Sequence, residues 1–257
     1  MTAISMLYTG KRFVIAADGK CRSDDPLASK EGETDQAQKI FSFETDNIKM
    51  AWAIAGMSST EDGRFNLIAE AQERMSASAM SAFSSGNLYV KRLCANIKRA
   101  IIKARREGRI TKFSKPKRSE PPQDSPFVRF FFLGFMNGTP FWVEARFYHD
   151  EQTDGIEVWL NNEDFTQPLM AVGSDVIANM MYAPGATVDP RLASYKREAS
   201  DGDLEYVTSY IKACCDPIAI EVDPYCENIG GRIRAAEVTP SGFKWLPIEA
   251  TPNRSVE

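Results

Sequence analysis

Apolar residues alternate from the first positions of the chain. Ile4, Met6 and Tyr8 fall two apart, which predicts a strand with one buried face. Thr9-Gly10-Lys11 makes a turn, and "RFVIAADG" reads as a second, mostly buried strand. "KIFSF" and "KMAWAIAG" form another hairpin around Thr45-Asp46-Asn47, after a polar stretch over 22–38 that reads as a loop. The period then changes. Ser58-Ser59-Thr60-Glu61-Asp62 carries a helix start signal, and Phe65, Ile68, Gln72, Met75, Ala79 and Phe83 recur three and four apart. Beyond Gly86 a second helix presents Val90, Leu93, Cys94, Ile97, Ile101 and Ala104.

Strands return with "FVRFFFLGFM", "FWVEARFY" and "IEVWL", joined by turns at "NGTP" and "DEQTDG". A short helix follows Ser174, and Asp201-Gly202-Asp203 opens another that carries Leu204, Val207, Ile211 and Cys214. "IAIEV", "GRIRAAEV" and "FKWL" close the chain as strands. Sheets that alternate with helix pairs predict an α+β fold, a four-layer αββα sandwich of two stacked antiparallel sheets flanked by helices. We read one domain over 2–247 and a flexible tail over 248–257.

Composition changes this picture little. The 257 residues are 43% hydrophobic and 26% charged, with no apolar run long enough to span a bilayer and no signal-peptide layout, so a cytoplasmic protein is expected. Cys21, Cys94, Cys214, Cys215 and Cys226 form no metal-type spacing and read as reduced thiols. Charge is uneven. From Lys98 to Arg118 there are ten Lys or Arg against Glu107 alone, within a net charge of −4. The stretch over 107–126 has Phe113 as its one aromatic, so it reads as a solvated or partner-binding loop, and nucleic acid is not expected.

A hydrolase nucleophile here needs a base other than imidazole, because His149 is the single histidine and sits in a turn-rich stretch expected at the surface. No cofactor or metal is expected. Thr2 supplies a base of its own. Once Met1 is removed, its α-amine, with an unperturbed pKa of about 7.7–8, lies beside its own Oγ. A lysine held by an aspartate would add positive charge, and a turn glycine N–H would receive an oxyanion. Asp18 ends the second strand, Lys39 opens the next hairpin and Gly56 closes it.

The segments "TAISMLYTGKRFVIAADGKC", "QKIFSF" and "MAWAIAGMSS" resemble, in order and spacing, the opening of proteasome β-type subunits and of the related bacterial two-component peptidase. "AVGSD" falls where that family has a Gly-Ser-Gly, and "IGGRIRAAEVTPSGFKW" resembles its Ser-Gly-Gly and closing strands. The resemblance implies the αββα fold of N-terminal nucleophile hydrolases. It makes Thr2 nucleophile and base, Asp18 and Lys39 its charge partners, Gly56 the oxyanion donor and Ser174 a support for the amine. Ile54 would line the substrate pocket, with Cys21 and Ser58 as further substrate-side candidates, although Cys21 also reads as a strand-end packing residue. The implied protein is a threonine-type peptidase self-assembled into a ring that takes peptides or unfolded protein; whether an ATPase unfoldase serves it stays open. A non-catalytic ring subunit and a small-amide amidase or acylase are the alternatives. One departure stands out: Cys226 and Ile229 occupy positions where active members carry Asp and Ser, leaving Asp223, Glu227 or Asn228 to substitute.

Overall fold

The computed structural model describes residues 2–20, 35–60, 62–79, 83–113, 125–161 and 169–248. Among the described residues, strands run in the order β1 (Ile4–Tyr8), β2 (Phe13–Ala17), β3 (Ile40–Glu44), β4 (Ile48–Gly56), β5 (Val128–Met136), β6 (Thr139–Asp150), β7 (Gly155–Asn161), β8 (Leu169–Val172), β9 (Arg234–Thr239) and β10 (Gly242–Leu246). The α-helices of the described residues are α1 (Leu67–Ala79), α2 (Gly86–Arg106), α3 (Asp175–Tyr182), α4 (Asp203–Cys215) and α5 (Pro217–Val222). The α+β class and the two antiparallel sheets are as the pattern predicts. The chain divides into two compact units.

The first unit comprises Met1–Phe41, Phe165–Thr239 and Phe243–Glu257. Its sheet has the order β10-β9-β2-β1-β8, with Ile4 opposite both Ala17 and Val172. Alternation puts Ala3, Leu7, Val14 and Ala16 into one buried cluster with Ile177, Val207, Ile211 and Cys214 of the helices. Ile4, Phe13 and Ile15, on the reverse face, are buried too. A strand buried on both sides is what the unbroken apolar run "FVIAA" calls for.

The second unit comprises Ser42–Asp164 and Pro240–Gly242, around the meander β3-β4-β5-β6-β7. Its helix α2 presses on the β6 face that holds Phe141. A Cβ at Gly86 would meet the Phe141 ring at 2.2 Å, so Gly86 belongs inside the helix contact and does not merely separate two helices.

Four local expectations are corrected. "IAIEV" is the helix α5, because Asp216 caps Ile218 N–H and Pro217 sits at the first helical position, where its missing N–H costs nothing. The first long helix begins at Leu67, with Asn66 accepting from Ala69 N–H, and not at the Ser58 start signal. The short strand β8, not expected from the sequence, pairs with β1. His149, expected at the surface, has an 11% exposed side chain, bonded to Asp154 and set against the Phe113 ring at a tilt of 35°, centroids 4.5 Å apart. Cys21, most of the expected loop over 22–38, residues 114–124 of the basic stretch and the tail beyond Ile248 lie outside the described residues.

Candidate active site

Thr2 lies two residues ahead of Ile4, the first residue of β1, and is 7% exposed. Ala3, fully buried, is fixed on both of its polar atoms by Asp18. Its N–H donates to Asp18 Oδ1 at 2.9 Å, and its carbonyl accepts from Asp18 N–H at 3.1 Å. The β1–β2 hairpin register brings this about: Ile4 pairs with Ala17, so the residues one step further out, Ala3 and Asp18, also face each other.

The Asp18 side chain is fully buried and accepts from four donors. Lys39 Nζ lies 2.8 Å from Oδ1, the oxygen that also holds Ala3 N–H. Oδ2 accepts from Gly230 N–H at 3.2 Å and Lys20 N–H at 3.3 Å. Lys39 is itself 8% exposed along its side chain. A buried carboxylate and ammonium are tolerable only when each compensates the other, and the backbone donors complete that compensation. Gly19 N–H to Gly230 carbonyl, at 3.0 Å, and Ala37 N–H to Gly19 carbonyl, at 2.8 Å, bind the flanking backbone. Thus Asp18 and Lys39 meet within the first unit, on the N–H of the residue that follows Thr2.

Ser174 is fully buried at the end of β8 and caps α3, its Oγ accepting from Ile177 N–H. The same hydroxyl donates to Asp223, whose second oxygen accepts from Tyr225 N–H. Gly173 has φ +133°, a conformation open to glycine; a Cβ there would lie 3.1 Å from the Thr2 carbonyl oxygen. Cys226 and Ile229 are both fully buried in the apolar cluster with Cys214, so this loop contributes the Gly230 N–H, and its side chains at those positions serve packing. Burial pushes the Cys214 thiol well above its ordinary range, which marks it as inert filling. Among the described residues, Cys94, Cys214, Cys215 and Cys226 are in no disulfide.

Two residues at this site had no assigned role in the sequence reading. Gly230 was visible only as part of a Gly-Gly pair. Tyr210 lies in α4 on the apolar face with Val207, Ile211 and Cys214, a phase in which a tyrosine hydroxyl must find a buried partner. It accepts from Ser174 N–H at 2.8 Å and donates to the Val172 carbonyl at 3.1 Å. Burial pushes its phenol well above the ordinary range, so it stays protonated as a donor.

The remaining candidates belong to the second unit. Gly56 ends β4 with φ +99°, where a Cβ would strike the Phe127 carbonyl oxygen at 2.5 Å. Ile54 is 3% exposed and pairs with Phe130, and Ser58 accepts Leu67 N–H through its carbonyl. Among the described residues no group of His, Cys, Asp or Glu is arranged to hold a metal, and no helix is long and apolar enough to cross a membrane.

No family model and no curated protein matches the chain. Solved structures do. Anbu from Hyphomicrobium sp. strain MC1 is similar with TM-score 0.53 and 12% identity, over 97% of this chain and 87% of that one. Its Gly-1 mutant gives TM-score 0.54 and 12% identity over 100% and 89%. Anbu from Yersinia bercovieri, named an ancestral beta-subunit, gives 0.54 and 10% identity over 97% and 89%. What is shared is the fold. The resemblance to proteasome β-type subunits and the two-component peptidase is corrected accordingly. The similar solved structures are Anbu, not members of those two families, and at their low identity to this chain they show its fold alone.

Proposed function

We propose that the protein is a threonine-type N-terminal nucleophile hydrolase of peptide or other amide bonds. The observation that carries the reading is Asp18 Oδ1, which holds the Lys39 ammonium and the Ala3 N–H together. A buried ion pair is costly to build, and here it is tied to the peptide that follows Thr2. The reading rests on residues of the first unit alone; Gly56 as oxyanion donor and Ile54 as pocket residue stay with it as expectations.

The chemistry requires that Met1, and anything else ahead of Thr2, be absent from the mature protein. The free amine then takes the proton of Thr2 Oγ as the oxygen attacks the scissile carbonyl carbon. Collapse of the tetrahedral intermediate breaks the C–N bond, and the departing amine leaves with that proton. The acyl group remains as an ester on Oγ. Water, deprotonated by the same amine, hydrolyses the ester and restores the threonine. Lys39 contributes positive charge as the alkoxide develops, and Asp18 keeps that charge in place. Asp223, through Ser174, supplies the acidic partner that Cys226 does not. Self-association into a ring is part of the proposal because one Anbu relative in fold is named a beta-subunit.

Intact mass after treatment with a peptide epoxyketone tests the nucleophile. We expect one adduct per chain, located on Thr2, and none in Thr2→Ala. Thr2→Ser, which keeps hydroxyl and amine, retains part of the turnover. Retention of Met1 on protein that still hydrolyses peptides would overturn the mechanism. Gel filtration reads the assembly: a species of one or two chains that remains active rules out the ring and leaves the hydrolase.

A further inference from the structure

The Tyr210 hydroxyl is placed unlike that of an ordinary buried tyrosine. Besides its contact with the Cys214 thiol, it hydrogen-bonds Val172 and Ser174, the residues on either side of Gly173. Gly173 is thereby gripped from behind. A Cβ at this glycine would lie 2.6 Å from the Tyr210 oxygen on one side, and 3.1 Å from the Thr2 carbonyl oxygen and 3.3 Å from Ala3 Cα on the other. The Thr2–Ala3 peptide is therefore flanked at both ends of its dipole: Asp18 binds the N–H, and Gly173 comes so near the carbonyl oxygen that a side chain there would crowd it. Tyr182 provides the contrast. Its hydroxyl also bridges polar groups, Ser5 Oγ and the Tyr206 carbonyl, and neither belongs to this turn.

We propose that Tyr210 is a positioning residue for Thr2, its hydroxyl bracing the Gly173–Ser174 turn against the Thr2–Ala3 peptide so that Oγ and the amine are held in reacting geometry. The inference rests on the reading of Thr2 as nucleophile. Tyr210 touches no reacting atom. Without its oxygen, Ser174 N–H and the Val172 carbonyl lose their partner in a buried site, and the turn relaxes to find others. A displacement of about 1 Å at a reacting group costs on the order of 100-fold in rate. Loss of a hydrogen bond elsewhere in the core lowers stability and leaves the rate per folded molecule alone.

The test compares Tyr210→Phe, Tyr182→Phe and Gly173→Ala in the full chain. Each is titrated with a peptide epoxyketone to count competent sites, then assayed for turnover and for the rate of adduct formation on Thr2. We expect kcat per titrated site to fall roughly 10- to 100-fold in Tyr210→Phe with KM little changed. Tyr182→Phe should lower the melting temperature and keep the parental rate. Gly173→Ala, which drives a methyl group against the Tyr210 oxygen, should show the same kcat defect. The double variant Gly173→Ala/Tyr210→Phe should be no slower than Gly173→Ala, because deleting the hydroxyl removes that collision. Parental kinetics per site in Tyr210→Phe, or in folded Gly173→Ala should Tyr210→Phe not fold, overturn the brace while Thr2 stays the nucleophile. A parent that forms no adduct on Thr2 overturns both.

Discussion

Asp18 is a small residue with an unusual number of obligations. Its carboxylate joins the start of β1, the residue ahead of β3 and the loop ahead of β9 through Ala3, Lys39 and Gly230. Removing Lys39 would leave this carboxylate buried without its counter-charge, a loss of about 3–5 kcal/mol. We expect Lys39→Ala to melt well below the parent and to lose turnover. Lys39→Arg should not rescue it, since a planar guanidinium does not fit where a compact ammonium lies between side chains. Thermal melting and turnover of both variants check this; parental values in Lys39→Ala would return Lys39 to the class of ordinary surface charges. The pairing of Asp18 with Lys39 was legible through the family resemblance and not through strand pattern, because β2 and β3 belong to different sheets and periodicity does not say that their ends meet. The tie between Ser174 and Asp223 was not. It spans 49 positions, and Asp223 was one of three acidic or amide residues on the same loop with nothing local to rank them.

At the scale of elements, α5 shows where period alone misleads. Five residues of "IAIEV" alternate well enough for a strand, yet the cap ahead of them decides otherwise. Asp216 Oδ1 accepts Ile218 N–H at 2.8 Å, and its Oδ2 accepts the Tyr195 hydroxyl at 2.7 Å. Asp216→Ala removes both partners. We expect a loss of about 1–2 kcal/mol, the range for a helix cap, read by denaturant titration, with the rate per titrated site unchanged. A shift no larger than about 0.5 kcal/mol, the surface-substitution range, would mean the Asp216 cap is redundant with packing of α5 on the core. The strand β8 was illegible for the opposite reason: "LMAV" has four residues and no alternation, so only pairing with β1 makes it a strand. That pairing has consequence, because β8 delivers Gly173 and Ser174 to the end of β1 where Thr2 begins.

For the whole molecule, buried phenols make a prediction that does not depend on the catalytic reading. Burial pushes the Tyr182 phenol up to about 12, and pushes Tyr89 and Tyr210 well above the ordinary phenol range. The sign follows from proton counting. Above pH 10 the unfolded chain sheds these protons while the native chain keeps them, so unfolding releases protons and stability falls as pH rises. The contribution of these groups is complete below pH 10 and is lost progressively above it, by about 1.4 kcal/mol per pH unit for each phenol. Tyr182 drops out of the slope near its own folded value of about 12. We therefore expect an alkaline titration followed by phenolate absorbance to show a late group that appears together with loss of near-ultraviolet circular dichroism. Tyr210→Phe should remove one phenol from that late group and flatten the alkaline slope. All eight tyrosines ionising while the dichroism stays native would show that water reaches these rings, and the packed interior around Tyr210 would have to be redrawn.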